Sequence, residues 1–284
     1  MADFPRTTIG DISVSRMIIG TNWFLGYTHC SGAKSRSVER IVTHPKEIAD
    51  IIEVFLRAGV DTIMCPHTQT CLPEAIAEAE QRTGTEVIII STPGFPTNPR
   101  TPFDGFDLDE ASRILDAEVA KGVSICMPHV STTDVMFDKC TREIRQMDAL
   151  CRLIRERDMI PGLSTHIPET VVFADETELD IETYIQMFNS MGFLMQLEVD
   201  WVARLIHRAK KPVITIKGMA AGQLRPFQAM TFCWNAIRPC DMVTVGTMAP
   251  EEAAELIDLS LDILAGQPFS AELQKTRSKS TVLA

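Results

Sequence analysis

Short apolar runs alternate with longer amphipathic segments along most of the chain. The apolar runs are continuous, as expected of strands that are buried on both faces of a parallel sheet. The longer segments repeat apolar residues three and four positions apart, which predicts helices that bury one face. The predicted strands are 17–20, 62–65, 86–91, 123–127, 160–164, 184–188, 212–216 and 242–245. The predicted helices are 45–58, 73–82, 108–121, 141–157, a short one after Pro168, 198–209, 226–237 and 251–264.

Eight strand–helix units of this kind predict a (β/α)8 TIM barrel, an α/β fold that typically needs about 250 residues. An open doubly wound sheet is the alternative, and it often carries a glycine-rich loop after its first strand. Residues 20–26 do not match that G-x-G-x-x-G pattern. We therefore expect one barrel domain over residues 1–284, with 267–284 as a C-terminal tail and a substrate lid in the polar loop 93–107.

The composition narrows the range of partners. The chain has 284 residues, of which 45% are hydrophobic, and a formal net charge of −11. It can therefore bury a large core, while its acidic surface disfavours nucleic acid. The first residues lack an apolar signal core, no apolar stretch reaches the length of a membrane span, and the eight cysteines form no C-x-x-C pair. These features predict a cytoplasmic protein that acts on a small molecule without a membrane or nucleic-acid partner, and they permit a homo-oligomer.

Three histidines occupy the same kind of position, just after a predicted strand. His67, His129 and His166 would all lie at the carboxyl rim of a barrel, where that fold places its chemistry. Neutral imidazoles from neighbouring strands can bind one divalent transition metal, such as Zn, Mn or Fe, and leave a position open for water or substrate. The alternative is hydrogen bonding within the rim. Cys65 and Cys30 are further candidate ligands or nucleophiles, although an inert thiol is the simpler interpretation of each.

Other polar residues also follow predicted strands. Lys217 ends the seventh strand, where its amine could bind an anion, stabilise an enolate, form a Schiff base or pair with a rim carboxylate. Asn22 and Trp23 end the first strand and Asn189 follows the sixth, so we expect them to contact substrate through an amide or an indole face. Arg225 could hold a carboxylate or a phosphate with its guanidinium group.

Several segments resemble the aldo-keto reductase superfamily. These segments are 7–21, 58–61, 162–166, 211–222 and 243–252. In that order they resemble the family's N-terminal hairpin leading into strand one, its approach to strand two, the end of its strand five, its strand seven, and its strand eight with the following helix. The resemblance spans nearly the whole chain, and it implies a TIM barrel with an N-terminal β-hairpin and an NAD(P) cofactor. A shared fold does not by itself establish a shared reaction.

The catalytic residues of that family are matched here at the histidine alone. The family uses an Asp at the end of strand two, a Tyr soon after it, a Lys at the end of strand three and a His, to which His129 corresponds. Residues 63–66 offer no carboxylate, Tyr27 and Tyr184 lie elsewhere, and residues 91–93 contain no lysine. The loop after strand eight also lacks an Arg or Lys for the 2′-phosphate of NADP. The usual proton donor of the family is therefore missing.

These patterns lead to a principal hypothesis and two alternatives. The principal hypothesis is a metal-dependent barrel enzyme of the lyase, hydrolase or isomerase type, acting on a small polar substrate with a carbonyl or hydroxyl group. Its residues are the metal ligands His67, His129 and His166, the catalytic His129 and Lys217, and the substrate-binding Asn22, Trp23, Asn189 and Arg225. The first alternative is an atypical NAD(P)-dependent, aldo-keto reductase-like oxidoreductase with His129 as its acid. The second is a barrel that binds a ligand without catalysis.

Overall fold

The computed structural model describes residues 3–39, 44–65, 71–97 and 107–269. Its strands are β1 (Arg6–Ile9), β2 (Ile12–Ser15), β3 (Met17–Gly20), β4 (Thr62–Cys65), β5 (Ile88–Ser91), β6 (Val123–Cys126), β7 (Phe137–Asp138), β8 (Glu143–Ile144), β9 (Ile160–Pro161), β10 (Leu163–Ser164), β11 (Tyr184–Met187), β12 (Val213–Ile216) and β13 (Met242–Val245). Its helices are α1 (Gly32–Glu39), α2 (Pro45–Arg57), α3 (Leu72–Thr83), α4 (Leu108–Val119), α5 (Val130–Thr133), α6 (Met147–Arg155), α7 (Glu169–Glu176), α8 (Val199–Arg208), α9 (Pro226–Ala236) and α10 (Pro250–Leu264).

The parallel strands form a closed barrel. Hydrogen-bonded neighbours run in the order β10, β11, β12, β13, β3, β4, β5, β6 and β9. Strands β9 and β10 are the two halves of one strand, separated by Gly162 alone, so this order returns to its starting point. A methyl group on Gly162 would lie 2.8 Å from both Met127 Cε and Thr183 Cγ2, which explains why glycine occupies the break. The TIM barrel predicted from the sequence is confirmed.

The strands point alternate side chains into the barrel and toward the helices. Apolar inward side chains fill the interior, and they include Ile18, Ile90, Ile125, Ile185, Ile214 and Met242. The antiparallel hairpin β1–β2 adds Ile9 and Val14 to the same cluster. The hairpin implied by the family resemblance is therefore present, and it closes the amino end of the barrel. The opposite, carboxyl end is left for polar side chains.

The helices cover the outside of the barrel, each with one apolar face. In α2, Ile48, Ile52 and Phe55 are fully buried in a cluster shared with strand residues. Pro45 occupies the first turn of α2, where the missing N–H of proline is not needed. Gly59 follows the helix with a φ of +78°, a conformation that favours glycine. In the described ranges, no helix is long and apolar enough to cross a membrane.

The structure differs from the prediction just before α6. The predicted helix 141–157 begins only at Met147, because the preceding residues form the antiparallel hairpin β7–β8. Asp138 holds this hairpin: its carboxylate accepts hydrogen bonds from the backbone N–H of Cys140 at 2.8 Å and from the guanidinium group of Arg145 at 2.6 Å. These side-chain bonds offer the backbone an alternative to the helix that the apolar periodicity predicted.

Two helices of the structure were not predicted, and two predicted segments lie mostly outside the described residues. The helices α1 and α5 were not predicted, because α1 has Val38 as its buried apolar residue and α5 is a single turn. Residues 98–106 and 270–284, which include most of the expected lid and tail, lie outside the described residues.

Candidate active site

A cavity of about 810 Å³ opens at the carboxyl end of the barrel. It is lined by residues at the ends of the strands, by the loops that follow β12 and β13, and by the first turns of α10. The volume is within the range of about 300–1,000 Å³ that is usual for small-molecule and cofactor sites. This is also the end at which TIM barrels place their active sites.

Four of the basic side chains that line this cavity follow the ends of strands. They are His29, His129, His166 and Lys217, which we call the basic cluster. Lys217 Nζ lies 3.5 Å from His29 Nε2, and the side-chain nitrogen of Asn22 lies 3.2 Å from the same ring atom. Because both neighbours carry N–H groups, Nε2 of His29 acts as the acceptor, which requires a neutral ring. Burial, and then the charge of Lys217, lowers the pKa of His29 in agreement with this.

Lys217 reaches the cavity through an unusual backbone conformation. Ile216 packs against the barrel interior, so in a regular strand the next side chain would point toward the helices. Instead, Lys217 has a left-handed φ of +61° and lines the cavity. Ala220, Ala221 and Gly222 are also left-handed. This conformation costs a non-glycine residue about 1–2 kcal/mol, and strain of this kind is concentrated at functional sites.

His129 follows β6 and precedes the one-turn helix α5. Its Nδ1 accepts a hydrogen bond from the backbone N–H of Ser131 at 3.2 Å and lies 2.9 Å from the Ser131 hydroxyl. In the neutral ring the proton therefore resides on Nε2, the nitrogen that remains for a ligand. Burial, followed by the positive charge of Lys217, lowers the pKa of His129. The ring is neutral at pH 7 and presents an N–H donor.

His166 follows β10 and is positioned through its backbone. Its N–H donates to the carboxylate of Asp134 at 3.1 Å, and the hydroxyl of Thr165 donates to the same carboxylate. The side chain of His166 is thereby left free to face the cavity. Burial, followed by the charges of Lys217 and His129, lowers the pKa of His166 to about 4. This imidazole is also neutral at pH 7.

Lys217 is a half-buried amine that has no counter-ion among the described residues. Burial lowers the pKa of its ammonium group, because removing a charge from water disfavours the charged form. In the parts of the chain that the structure describes, no carboxylate forms an ion pair with Lys217, and none is among the groups that shift the pKa values of the basic cluster. The rim ion pair considered from the sequence is not formed among these residues.

Trp23 lies between the loops that follow β12 and β13. A methyl group on Gly246 would lie 2.7 Å from Trp23 Cδ1, and one on Gly222 would lie 3.9 Å from Trp23 Cη2. The indole therefore packs directly on glycine backbone, and Lys34 Nζ lies 5.8 Å from its ring centroid. All four residues line the cavity, so Trp23 provides an aromatic surface within it.

The cavity continues along the loop after β13 to α10. Thr244 and Thr247 line this part, and their hydroxyl oxygens are buried without a hydrogen-bond partner among the described residues. A buried polar atom without a partner is destabilising, so such an atom at a cavity wall marks a position where a ligand could bond. Glu252 and Glu255 line the same part. The carboxylate of Glu252 accepts the backbone N–H of Met248 at 2.8 Å.

The predicted substrate-binding residues fall into two groups. Asn22, Trp23 and Arg225 line the cavity. Asn189 is fully buried elsewhere: its amide donates to the carbonyl of Phe193 at 3.0 Å and accepts the N–H of the same residue at 2.8 Å. The polar groups of Asn189 therefore hold the loop after β11 rather than facing a ligand.

The predicted metal centre is wrong. Within the described ranges, no group of three or more His, Cys, Asp or Glu residues could hold a metal ion, and His67 lies outside those ranges. A physical reason is the positive charge of Lys217, which acts on both His129 and His166 and repels a divalent cation where no carboxylate compensates it. In addition, Nδ1 of His129 accepts the N–H of Ser131, so Nε2 carries the proton and offers no lone pair to a metal. The expected Zn, Mn or Fe cofactor and the metal-dependent lyase, hydrolase or isomerase are corrected accordingly.

The two cysteines proposed as ligands do not join the basic cluster. Cys65 packs in the layer between strands and helices, and burial raises the pKa of its thiol to about 12. A thiol with such a pKa is not ionised at pH 7, so it is neither a nucleophile nor a ligand. Cys30 is exposed, and its Sγ lies 3.5 Å from the carbonyl oxygen of Ala221.

Sequence reasoning missed His29, Thr244 and Thr247. His29 lies in the first βα loop, which belongs to the carboxyl rim of any barrel, and this location was the available signal. The two threonines have no signal in the sequence, because their importance depends on having no bonding partner after folding.

Comparisons with known proteins support the fold. No protein-family model and no curated protein matches the sequence. A proposed aldo-keto reductase from Pseudomonas aeruginosa matches with a TM-score of 0.64 at 16% identity, over 92% of this chain and 98% of that one. An aldo/keto reductase from Brucella melitensis matches with a TM-score of 0.57 at 11% identity, over 90% and 93%. The 3-deoxy-D-arabino-heptulosonate 7-phosphate synthase from Thermotoga maritima matches with a TM-score of 0.51 at 10% identity, over 93% of each chain.

The chain shares its fold with structures described as aldo-keto reductases, as the resemblance of its sequence implied. The synthase shows that the barrel framework is shared beyond reductases, so the likeness establishes architecture and not reaction. The likeness to structures described as aldo-keto reductases gives no support to the metal-dependent hypothesis.

Proposed function

We propose that this protein is an NAD(P)-dependent oxidoreductase that interconverts a carbonyl group and an alcohol on a small substrate. The observation that carries the proposal is the basic cluster, which sets N–H donors at the mouth of the barrel, where a developing negative charge on a carbonyl oxygen would be stabilised. The fold-level likeness to structures described as aldo-keto reductases supports it. The Tyr and Lys of that family are absent, so the proton chemistry falls to this cluster.

The cavity fits a nicotinamide dinucleotide. It runs from the strand ends to α10. It offers an aromatic face on Trp23 and the hydroxyl of Thr247, which has no hydrogen-bond partner among the described residues. These residues, together with Arg225, would hold the cofactor. When bound, the nicotinamide ring supplies or accepts the hydride. The other catalytic groups of the proposed reaction are side chains of this protein.

His129 would bind the substrate oxygen. Its Nδ1 is held by Ser131, so its Nε2 carries the proton of the neutral ring. A neutral imidazole whose N–H donates a hydrogen bond to a carbonyl oxygen polarises that carbonyl. Because the ring is already neutral, it does not first have to lose a proton to solvent. This role differs from that of an acid, which the sequence had suggested for His129, because a neutral imidazole N–H is a poor proton donor.

Lys217 would supply the proton. Burial lowers the pKa of its ammonium group, which makes this group a stronger acid than an exposed lysine. The amine lies 3.5 Å from Nε2 of His29, which is an exposed residue. The pair therefore provides a route by which Lys217 can regain a proton after transfer. In alcohol oxidation the same groups would act in reverse.

Fluorescence titration with NADH and NADPH tests the proposal. We expect saturable energy transfer from tryptophan to the reduced nicotinamide for at least one cofactor, followed by oxidation of that cofactor when small aldehydes or ketones are added. Trp23→Phe should remove most of the transfer, whereas Trp201→Phe should keep it, because Trp201 is 58% exposed on α8 and outside the cavity. Absence of saturable binding for both cofactors would refute the proposal. Binding without turnover of any carbonyl compound would favour a non-catalytic barrel instead.

A further inference from the structure

The mouth of the barrel is rich in basic side chains, although the protein as a whole is acidic. The whole chain has a formal net charge of −11, yet its basic cluster brings together His29 from the loop after β3, His129 after β6, His166 after β10 and Lys217 after β12. Asn22, also from the loop after β3, is a neutral polar residue in contact with His29. Four separate segments thus converge without contributing a carboxylate that pairs with the cluster in the described ranges.

The remaining charged residues of the cavity do not compensate this cluster. Lys34 and Arg225 are also basic. Glu252 is bonded to the N–H of Met248, and neither it nor Glu255 is among the groups that shift the pKa of Lys217 or of the histidines. Asp134 bonds the backbone of the His166 segment.

An ammonium group that lies beside three imidazoles, with no carboxylate partner in the described ranges, is unfavourable in the free protein. The strained backbone at Lys217 adds to this cost, since it turns the amine into the cavity rather than toward the helices. An arrangement that is destabilising in the free protein becomes favourable when a ligand supplies the missing charge. Charge-assisted hydrogen bonds from an ammonium and from imidazole N–H groups are the bonds that carboxylates and phosphates form.

We propose that the basic cluster is an oxyanion-binding subsite, and that the substrate is a small carbonyl compound carrying a carboxylate or a phosphate group. The inference rests on the proposed function in that it names the substrate class of the same site. Lys217, His29 and His166 hold the oxyanion, and the carbonyl oxygen of the same molecule lies against His129 and Lys217. The ammonium group of Lys217 has three N–H donors and so serves both groups of the substrate. A neutral carbonyl compound lacks the group that the cluster compensates.

Binding of an oxyanion is coupled to proton uptake. Burial and mutual repulsion hold down the pKa values of the cluster in the free protein, and an adjacent anion raises them. Between the free and the bound pKa values, the complex therefore carries more protons than its separate components. By linkage, the affinity for the oxyanion falls as the pH rises through this interval.

Isothermal titration calorimetry without nicotinamide cofactor tests the subsite. The probes are pyruvate with acetone as its neutral counterpart, and dihydroxyacetone phosphate with dihydroxyacetone. We expect at least one anion to bind at least about 10-fold more tightly than its neutral counterpart, as a charge-assisted bond of about 1.5–3 kcal/mol requires. The two arms distinguish a carboxylate from a phosphate. Repeating the titration in buffers of different ionisation enthalpy should show net proton uptake.

Variants connect the binding to Lys217. Lys217→Asn removes the charge while keeping a residue type that tolerates the left-handed conformation, and it should weaken anion binding about 10- to 100-fold. Lys139→Asn is the matched control, because Lys139 is an exposed lysine paired with Glu169 outside the cavity, and it should bind as the parent does. If Lys217→Asn does not fold, the comparison of anion with neutral probe in the parent still decides.

The possible failures are distinguishable. The subsite is overturned if anions and their neutral counterparts bind with equal affinity. It is also overturned if tight anion binding shows no proton uptake and is unchanged by Lys217→Asn. Neither result affects the cofactor titration. Anion binding with proton uptake in a protein that binds neither NADH nor NADPH supports the subsite and refutes the oxidoreductase.

Discussion

Charged side chains are paired at the amino end of the barrel, whereas Lys217 at the carboxyl end has no carboxylate partner among the described residues. At the amino end, Asp241 is fully buried, and its carboxylate accepts the guanidinium group of Arg238 at 2.7 Å and the N–H of Val213 at 2.9 Å. The guanidinium group of Arg16 donates to the backbone carbonyls of Asp241 and Arg238, both at 3.0 Å. At the carboxyl end, Lys217 lies in the cavity without a carboxylate partner in the described ranges.

This difference indicates that the charged groups at the amino end stabilise the fold, whereas the basic groups at the carboxyl end bind a ligand. Charges that are fully paired and hydrogen-bonded at the amino end connect β3, β12 and β13 where the barrel begins, and breaking such a pair leaves an uncompensated buried charge. Unpaired basic groups at the carboxyl end contribute nothing comparable to folding, and they retain their bonding capacity for a ligand. Amino-end residues of a TIM barrel generally serve stability, and carboxyl-end residues serve function. Substitutions at the two ends should therefore affect different measurements.

The largest effect is expected from Asp241→Asn. This change leaves the guanidinium group of Arg238, which is only 18% exposed, without its carboxylate. We expect the free energy of unfolding in urea to fall by about 3–5 kcal/mol. Asp258→Asn on the exposed face of α10 is the matched control and should change it by less than about 0.5 kcal/mol. A loss as small as that of the control would show that the amino-end network does not determine stability.

The next effect concerns acid stability at the carboxyl end. The pKa of His166 is lowered from 6.5 to about 4, so above pH 6.5 the ring is neutral in both the folded and the unfolded chain. As the pH falls from 6.5 to 4, the unfolded chain binds the proton first, and stability is lost over this window. The loss from this residue is on the order of 3 kcal/mol at most.

His166→Asn should remove this part of the pH dependence. The backbone N–H that bonds Asp134 is kept in the variant, so its stability at pH 7 should be close to that of the parent, while at pH 4.5 it should exceed it. Urea denaturation at several pH values measures both. His207→Asn, in which the changed residue is exposed on α8, serves as the control. A parallel pH profile for His166→Asn and the parent would contradict the expected repulsion within the basic cluster.

The smallest effect on stability is expected from Lys217→Gly. Glycine adopts the left-handed φ of +61° without strain, and this gain opposes the greater entropy that glycine gives to the unfolded chain. The free energy of unfolding should therefore change by less than about 1 kcal/mol. Carbonyl reduction should fall by about 100-fold or more, because the proton donor is lost. The comparison of urea denaturation with turnover measures the separation directly.

A matched control for that variant is Glu178→Gly. Glu178 is also a left-handed residue, with a φ of +52°, but it is exposed and lies outside the cavity. Glu178→Gly changes the conformational freedom of the backbone as Lys217→Gly does, but it removes no amine from the site. Turnover should therefore be unchanged. A loss of stability above about 2 kcal/mol in Lys217→Gly alone would mean that the amine has a structural role.

The architecture could be predicted because its signals are local. A strand buried on both faces needs a continuous apolar run, and a helix on the barrel surface needs an apolar face, so the boundaries of β3, β4 and β13 match the predicted ones. The hairpin β7–β8 could not be predicted in this way. It depends on the bonds of Asp138 with Arg145 and Cys140, which the apolar periodicity does not record.

The candidate site was predictable only where it follows directly from the strand ends. His129 and His166 line the cavity because each continues the inward positions of its strand. Asn189 follows a strand just as they do, but its amide bonds its own loop at Phe193. No periodicity separates these outcomes, because the path of a loop depends on which partners its polar groups find after folding.

The sequence by itself determined the barrel, its amino-terminal hairpin and the presence of histidines at its carboxyl rim, because those properties depend on residue type and spacing along one strand or helix. The tertiary structure alone decided the chemistry of the site. It brought His29 next to Lys217, turned Lys217 into the cavity through a left-handed backbone, and left the pair without a carboxylate among the described residues. The physical reason is that electrostatics acts through space: a basic group is paired or unpaired only when segments distant in the chain have come together.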